Sequence, residues 1–182
     1  MHWPAYLLAM DAADLVPIAV AVLIPLLGSW MIALKLYGKV DDDWYKKLAK
    51  PAFTPPPWTF SVVWTVLYLF MGYASFLVWR DGNGFHGAAK TALIAYGIQL
   101  VLNWAWMPMF FGLRNRSLAA IEVFLLAIAV GATTVLFNRI NSLAFQLFIP
   151  YALWTSFATY LNFSIWYMNR TGEKKIRKRK AT

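Results

Sequence analysis

The sequence predicts an all-α integral membrane protein, a five-transmembrane-helix bundle forming one domain over residues 1–182. Three observations carry that expectation. Of the residues, 60% are hydrophobic and only 14% charged, with a mean hydropathy of +0.53, too apolar for a soluble domain with a polar shell. Five apolar runs match the roughly 20 residues that cross a bilayer core: Leu15 to Leu34, Trp58 to Trp79, Ala88 to Gly112, Ala119 to Phe137 and Leu143 to Met168. Lys and Arg are segregated. With five spans, fourteen fall on the side of the first loop, third loop and C-terminal tail, against three (Arg80, Lys90 and Arg139) on the other. An even number of spans would destroy that asymmetry, so the C-terminus is expected in the cytoplasm.

The opening "MHWPAYLLAMDAADLVP" lacks a basic leader region, and Asp11 and Asp14 come just before the first apolar run, so no cleaved signal peptide is expected. The first helix is placed at 12–37. It contains Pro17 and Pro25, and Ser29 and Ala33 stand four apart as a small-residue face that another helix can approach closely. The following loop, "GKVDDDWYKKLAKPAFTPPPW", is the longest connection, and its Pro55 to Pro57 run holds the backbone stiff and extended. It reads either as an interfacial linker, with Trp44, Tyr45 and Trp58 at headgroup level, or as a lid over the bundle mouth.

The remaining helices are placed at 58–79, 88–111, 118–138 and 143–168, with 169–182 as a basic tail. Trp64, Tyr68, Met71 and Ser75 lie at helical spacing on the second, and Gln99, Asn103, Trp106 and Phe110 on the third. Trp154, Ala158, Leu161 and Asn162 do so on the fifth. Pro108 cannot donate to the Trp104 carbonyl, and Pro150 frees that of Gln146. Asn103 and Asn162 carry donors that could satisfy such groups, as interhelical glue worth about 0.6 kcal/mol per bond. Ten Trp and nine Tyr are many for this length, and Trp64, Trp106 and Trp154 lie too deep for a lipid-belt role. Flat indoles with a few convergent amides suit a large, rigid, mostly apolar ligand such as a sterol or tetrapyrrole.

The composition also excludes several chemistries. There is no cysteine, and the only histidines, His2 and His86, lie outside the spans. No thiolate metal site, disulfide or histidine-ligated haem within the bundle is available. Glu122 is the one acid inside a span, which makes it functional by default, or else a partner for Arg114 or Arg116 or a contributor to helix-end capping. Without a histidine or second carboxylate it is poor equipment for acid–base catalysis, so no catalytic residue is assigned. The tail's seven basic residues from Arg170 onward fix topology or hold anionic lipid, at about 1 kcal/mol each near the surface; nucleic acid is not an expected partner.

"KPAFTPPPWTFSVVWTVLYLFMGYASFLVW" (Lys50 to Trp79), "LNWAWMPMFFG" (Leu102 to Gly112) and "PYALWTSFATYLNFSIW" (Pro150 to Trp166) closely resemble the translocator protein family, also called the peripheral benzodiazepine receptor or tryptophan-rich sensory protein family. Motif order and spacing are kept over most of the chain. The resemblance implies a five-helix bundle, often dimeric, that binds porphyrins, sterols and synthetic aromatic ligands in a cavity opening to the cytosol beneath the first loop. Porphyrin or haem enters as ligand, and no cofactor is required. Pocket residues carried over by motif position are Ala33 and Leu36 on the first helix, Phe60, Val63 and Trp64 on the second, and Asn103 and Trp106 on the third. Trp154, Ala158 and Leu161 follow on the fifth. Leu118 stands where many animal members have Trp at the start of the fourth helix, which removes one aromatic wall. A formal sterol motif survives as Leu161, Tyr167 and Arg170. The resemblance further implies the outer mitochondrial membrane in a eukaryote, while the Lys178-Arg179-Lys180-Ala181-Thr182 ending resembles a retrieval signal of the endoplasmic reticulum. A receptor or transporter-like role is expected; the alternatives are light-dependent breakdown of protoporphyrin at the pocket tryptophans and a membrane scaffold for partner proteins.

Overall fold

In the computed structural model, residues 12–38 and 42–180 are described, the side chains of 42 and 171–180 excepted. The expectation of an uncleaved N-terminus and the charges of the tail beyond 170 lie outside the described residues. All regular elements among the described residues are helical: α1 (Leu15–Leu36) after a 3₁₀ turn at Ala12–Asp14, α2 (Asp42–Lys46), α3 (Pro57–Asp81), α4 (Gly87–Met107), α5 (Arg116–Asn138) and α6 (Ser142–Lys180). Among the described residues, four stretches are long and apolar enough to cross a membrane: Ala12–Leu36, Pro57–Asp81, Gly87–Gly112 and Arg116–Asn138. The helix α6 is the longest, at 39 residues, but Gln146, Pro150, Thr155, Ser156, Thr159 and Asn162 dilute its apolar character.

Local chemistry sets the ends of these helices. Pro56 and Pro57 open α3, where a missing N–H costs nothing and the fixed φ is already helical. It closes where Gly84, at a φ of 82°, returns its N–H to the Trp79 carbonyl at 2.7 Å. At Pro108 the donor for the Trp104 carbonyl is lost, and the chain widens into a π-helical turn over Pro108–Gly112, with the Leu113 N–H reaching the Pro108 carbonyl at 2.8 Å. The Asn115 side chain accepts from the Leu118 N–H at 3.0 Å and caps α5. Asn141 caps α6 by accepting from Ala144 at 2.8 Å, and its Nδ2 donates to Asp81 at 2.6 Å, tying this turn to the end of α3.

Packing is unequal along the bundle. Met71, Phe76, Leu77 and Val78 of α3 meet Ala92 of α4, Val130 and Phe137 of α5, and Ala144, Phe148 and Tyr151 of α6 in one densely buried cluster. A smaller cluster at the opposite end joins Phe110, Ala119 and Ile165 to Leu48 of the first loop. The helix α1 is peripheral. Val16, Val20, Leu23, Ile24, Leu27, Met31 and Leu34 are exposed along it, which suits lipid and not water. Two glycines let α1 sit close. A Cβ at Gly72 would fall 2.6 Å from the Val22 backbone, and one at Gly28 would overlap the Trp104 indole.

Two features depart from the sequence expectation. The first loop contains the short helix α2, because Asp42–Lys46 supplies Trp44 and Tyr45 for burial against the bundle. The last helix continues to Lys180. Its Glu, Lys and Arg residues are strong helix formers, and the single Gly172 does not stop it.

Candidate functional site

Midway along the bundle, amides and phenols form a continuous buried layer. The Tyr68 hydroxyl on α3 donates to Asn103 Oδ1 on α4 at 2.8 Å. Asn103 Nδ2 donates to the Tyr151 hydroxyl on α6 at 3.1 Å, and that hydroxyl donates to Gln99 Oε1 at 2.7 Å. Tyr151 and Gln99 are fully buried, and Tyr68 and Asn103 nearly so. Three helices are therefore pinned by three bonds that polarise one another in a low-dielectric interior. Nearer the loop end, Trp106 Nε1 donates to Asn162 Oδ1 at 3.0 Å, while Asn162 Nδ2 donates to the Ala158 carbonyl at 2.9 Å.

Indoles and phenyls flank this layer. Trp64 lies 5.7 Å from the Tyr68 ring and 6.0 Å from Tyr151, and Phe60 meets Trp154 edge-on at 5.7 Å. Val63 and Trp154 also line an apolar groove of about 610 Å³ between α3 and α6, walled further by Val62, Val66, Leu67, Phe70, Pro150, Leu153 and Phe157. Trp106 stacks on Phe110 at 5.1 Å, beneath the first loop.

That loop covers the bundle end. Trp44 packs on Phe110 at 5.6 Å, and Tyr45 on Phe111 at 5.7 Å. The Asn169 side chain of α6 clasps the Ala49 backbone in both directions, accepting from its N–H at 3.1 Å and donating to its carbonyl at 2.9 Å. Lys50 Nζ donates to the Tyr45 carbonyl at 2.6 Å and sits 4.3 Å from the Tyr45 ring. Burial lowers the Lys50 pKa and raises that of the Tyr45 phenol.

Of the site residues expected from the sequence, Phe60, Val63, Trp64, Asn103, Trp106, Trp154, Ala158 and Leu161 are at least partly buried on α3, α4 and α6. Ala33 and Leu36 are half-buried near the end of α1, where Leu36 approaches Gly112. Leu118 is half-buried in the first turn of α5. The sterol motif is divided: Leu161 points into the core, whereas Tyr167 and Arg170 are exposed and face each other, the guanidinium 3.9 Å from the ring centroid. Asn103 does not bond a proline-freed carbonyl; it joins two phenols. Glu122 does not pair with Arg114 or Arg116, because it shares the inward face of Ala119, Val123 and Leu126.

Tyr151 is the central residue that sequence reasoning passed over. The signal was present, since 151, 154 and 158 continue one helical stripe. Several interior polar atoms have no protein partner among the described residues: Gln99 Nε2, the Trp104 and Trp154 indole N–H groups and both Glu122 oxygens. Buried groups left in this state are rare.

Comparison with known proteins returns one consistent pattern. The TspO/MBR family model matches residues 18–168. The chain is 41% identical to the translocator protein of Homo sapiens over 147 residues, covering 81% of this chain and 86% of that one. It is 38% identical to the translocator protein of Sus scrofa over 148 residues, covering 81% and 87%. It is 37% identical to the tryptophan-rich sensory protein of Cereibacter sphaeroides over 129 residues, covering 70% and 78%.

Proposed function

The chain belongs to the TspO/MBR family of membrane proteins, and we propose that it is a receptor that binds a flat, largely apolar molecule, a porphyrin or a sterol, inside its helix bundle. The carrying observation is the Tyr68–Asn103–Tyr151–Gln99 layer flanked by Trp64 and Trp154. Indole faces supply sequence-tolerant stacking, and a few fixed polar atoms orient the ligand. The Trp154 N–H and Gln99 Nε2 remain available to it. Ala33, Leu36, Leu118, Ala158 and Leu161 complete the walls.

In this reading α6 is a fifth span. Its seam with α5 and α3 brings its polar residues together with theirs, and five spans give the positive-inside distribution. The C-terminus and the first loop then face the cytoplasm, with the loop as a lid fastened by Asn169 and Ala49. The outer mitochondrial membrane is the proposed home in a eukaryotic source.

Equilibrium binding of protoporphyrin IX and of cholesterol to the detergent-purified protein tests the reading. Saturable binding that is lost in Asn103→Ala/Trp154→Ala is expected. Failure of the wild type to bind either ligand, or unaltered binding by the double variant, overturns it.

A further inference from the structure

Glu122 is a carboxyl in the wrong place for a structural role. It lies six residues into α5 and is only 4% exposed, and neither of its oxygens has a protein hydrogen-bond partner among the described residues. Its neighbours on the same helix face, Ala119, Val123 and Leu126, are all buried. An ionised carboxylate without a partner is strongly disfavoured in such surroundings, and the neutral acid still carries a donor and acceptors that nothing satisfies. A hydrophobic side chain of similar size would serve the packing better.

The carboxyl lies on the buried side of α5, which packs along α6. Val123, next along α5, receives the Thr159 hydroxyl of α6 at 3.2 Å, which sets Glu122 level with the Ala158–Asn162 turn. Ala119, Ala120 and Ala158 are the small side chains at this level, and Trp106 closes it toward the loop. Gln99 Nε2, a second fully buried group without a partner, lies in the same interior.

We propose that Glu122 is a ligand-contacting residue whose carboxyl accepts a hydrogen bond from an N–H or O–H group on the buried part of a flat apolar molecule. This rests on the reading of the bundle interior as a ligand site and adds a chemical requirement to it: the molecule must carry a donor. A sterol hydroxyl offers that chemistry.

The test compares wild type, Glu122→Gln and Glu122→Leu in detergent, with saturation binding and thermal unfolding measured on each. One matched pair is the probe: cholesterol against cholesteryl methyl ether, which lacks the hydroxyl proton. Cholesterol, the donor-bearing member, should bind Glu122→Leu about tenfold more weakly than wild type. The donor-free member should bind wild type and Glu122→Leu alike, and Glu122→Gln, whose amide oxygen still accepts, should stay within about threefold of wild type. The Leu variant should also melt at a higher temperature, a gain that a structural carboxyl would not yield. Equal affinity of wild type and Glu122→Leu for cholesterol overturns the inference and leaves the ligand site standing. So does equal weakening of donor-bearing and donor-free members, or a lower melting temperature. Absence of cholesterol binding to wild type overturns this inference, and absence of protoporphyrin IX binding beside it overturns the ligand site as well.

Discussion

Tyr151→Phe isolates the central layer with one atom. The phenyl ring and its contacts with Trp64 and Phe148 are retained, while the hydroxyl that links Asn103 to Gln99 is deleted. Two bonds are lost. At the average worth of about 0.6 kcal/mol for an interhelical hydrogen bond in a membrane, the change costs about 1.2 kcal/mol. The partners raise that figure, because Asn103 Nδ2 and Gln99 Oε1 are left buried and unmatched, each at a cost of about 1–3 kcal/mol. The expected destabilisation lies between these bounds, near 2–3 kcal/mol by rough estimate. The assay is a double-mutant cycle of Tyr151→Phe with Asn103→Ala, read by unfolding in mixed micelles. The coupling should exceed about 0.5 kcal/mol, since neighbours that share a bond are non-additive. Stability of Tyr151→Phe equal to wild type, or strict additivity in the cycle, would refute the layer as a bonded unit.

Two further outcomes follow from the geometry. Gly28→Ala places a methyl group into the Trp104 indole and should destabilise by about 1–3 kcal/mol, as overpacking does; Trp104→Phe in the same chain should restore most of the loss, and a neutral single variant would show that α1 is not seated on α4. Asn169→Ala removes both clasps on Ala49 while leaving the aromatic contacts of α2, so the Ala49 amide should exchange measurably faster than in wild type; unchanged protection would place the hold on the loop elsewhere.

The four helices long and apolar enough to cross a membrane were legible because apolar run length is a local signal, and their ends are set locally too. Pro57, Gly84, Pro108 and Asn115 each act on the chain within a turn of themselves. The inward stripes were legible for the same reason, and Tyr68, Met71, Gln99, Asn103, Phe110 and Asn162 are indeed buried. Partner choice was not. Which acceptor an amide finds depends on the rotation of another helix, so Asn103 met two phenols and not a carbonyl freed by proline. Glu122 was read toward Arg114 and Arg116 from its place in the sequence, yet its three- and four-residue spacing from Ala119 and Leu126 turns it into the core. The helix α2 was hidden for a different reason. Five residues carry too little periodicity to announce a helix, and Trp44 and Tyr45 look the same whether they rest at headgroups or against Phe110 and Phe111.

The mixed character of α6 bears on how the protein is made. If α6 is a fifth span as proposed, this helix, made after α1 to α5, offers Gln146, Thr155, Thr159 and Asn162 to the bilayer, and polar side chains at membrane depth raise the free energy of insertion for a helix that arrives alone. In the proposed topology its match is already in place: Gln99 and Asn103 wait on α4 for the Tyr151 hydroxyl, Trp106 waits for Asn162, and the Val123 carbonyl waits for Thr159. The final helix thus enters as a client of its predecessors, and a defect in the early helices would appear first as a failure to integrate the C-terminal segment.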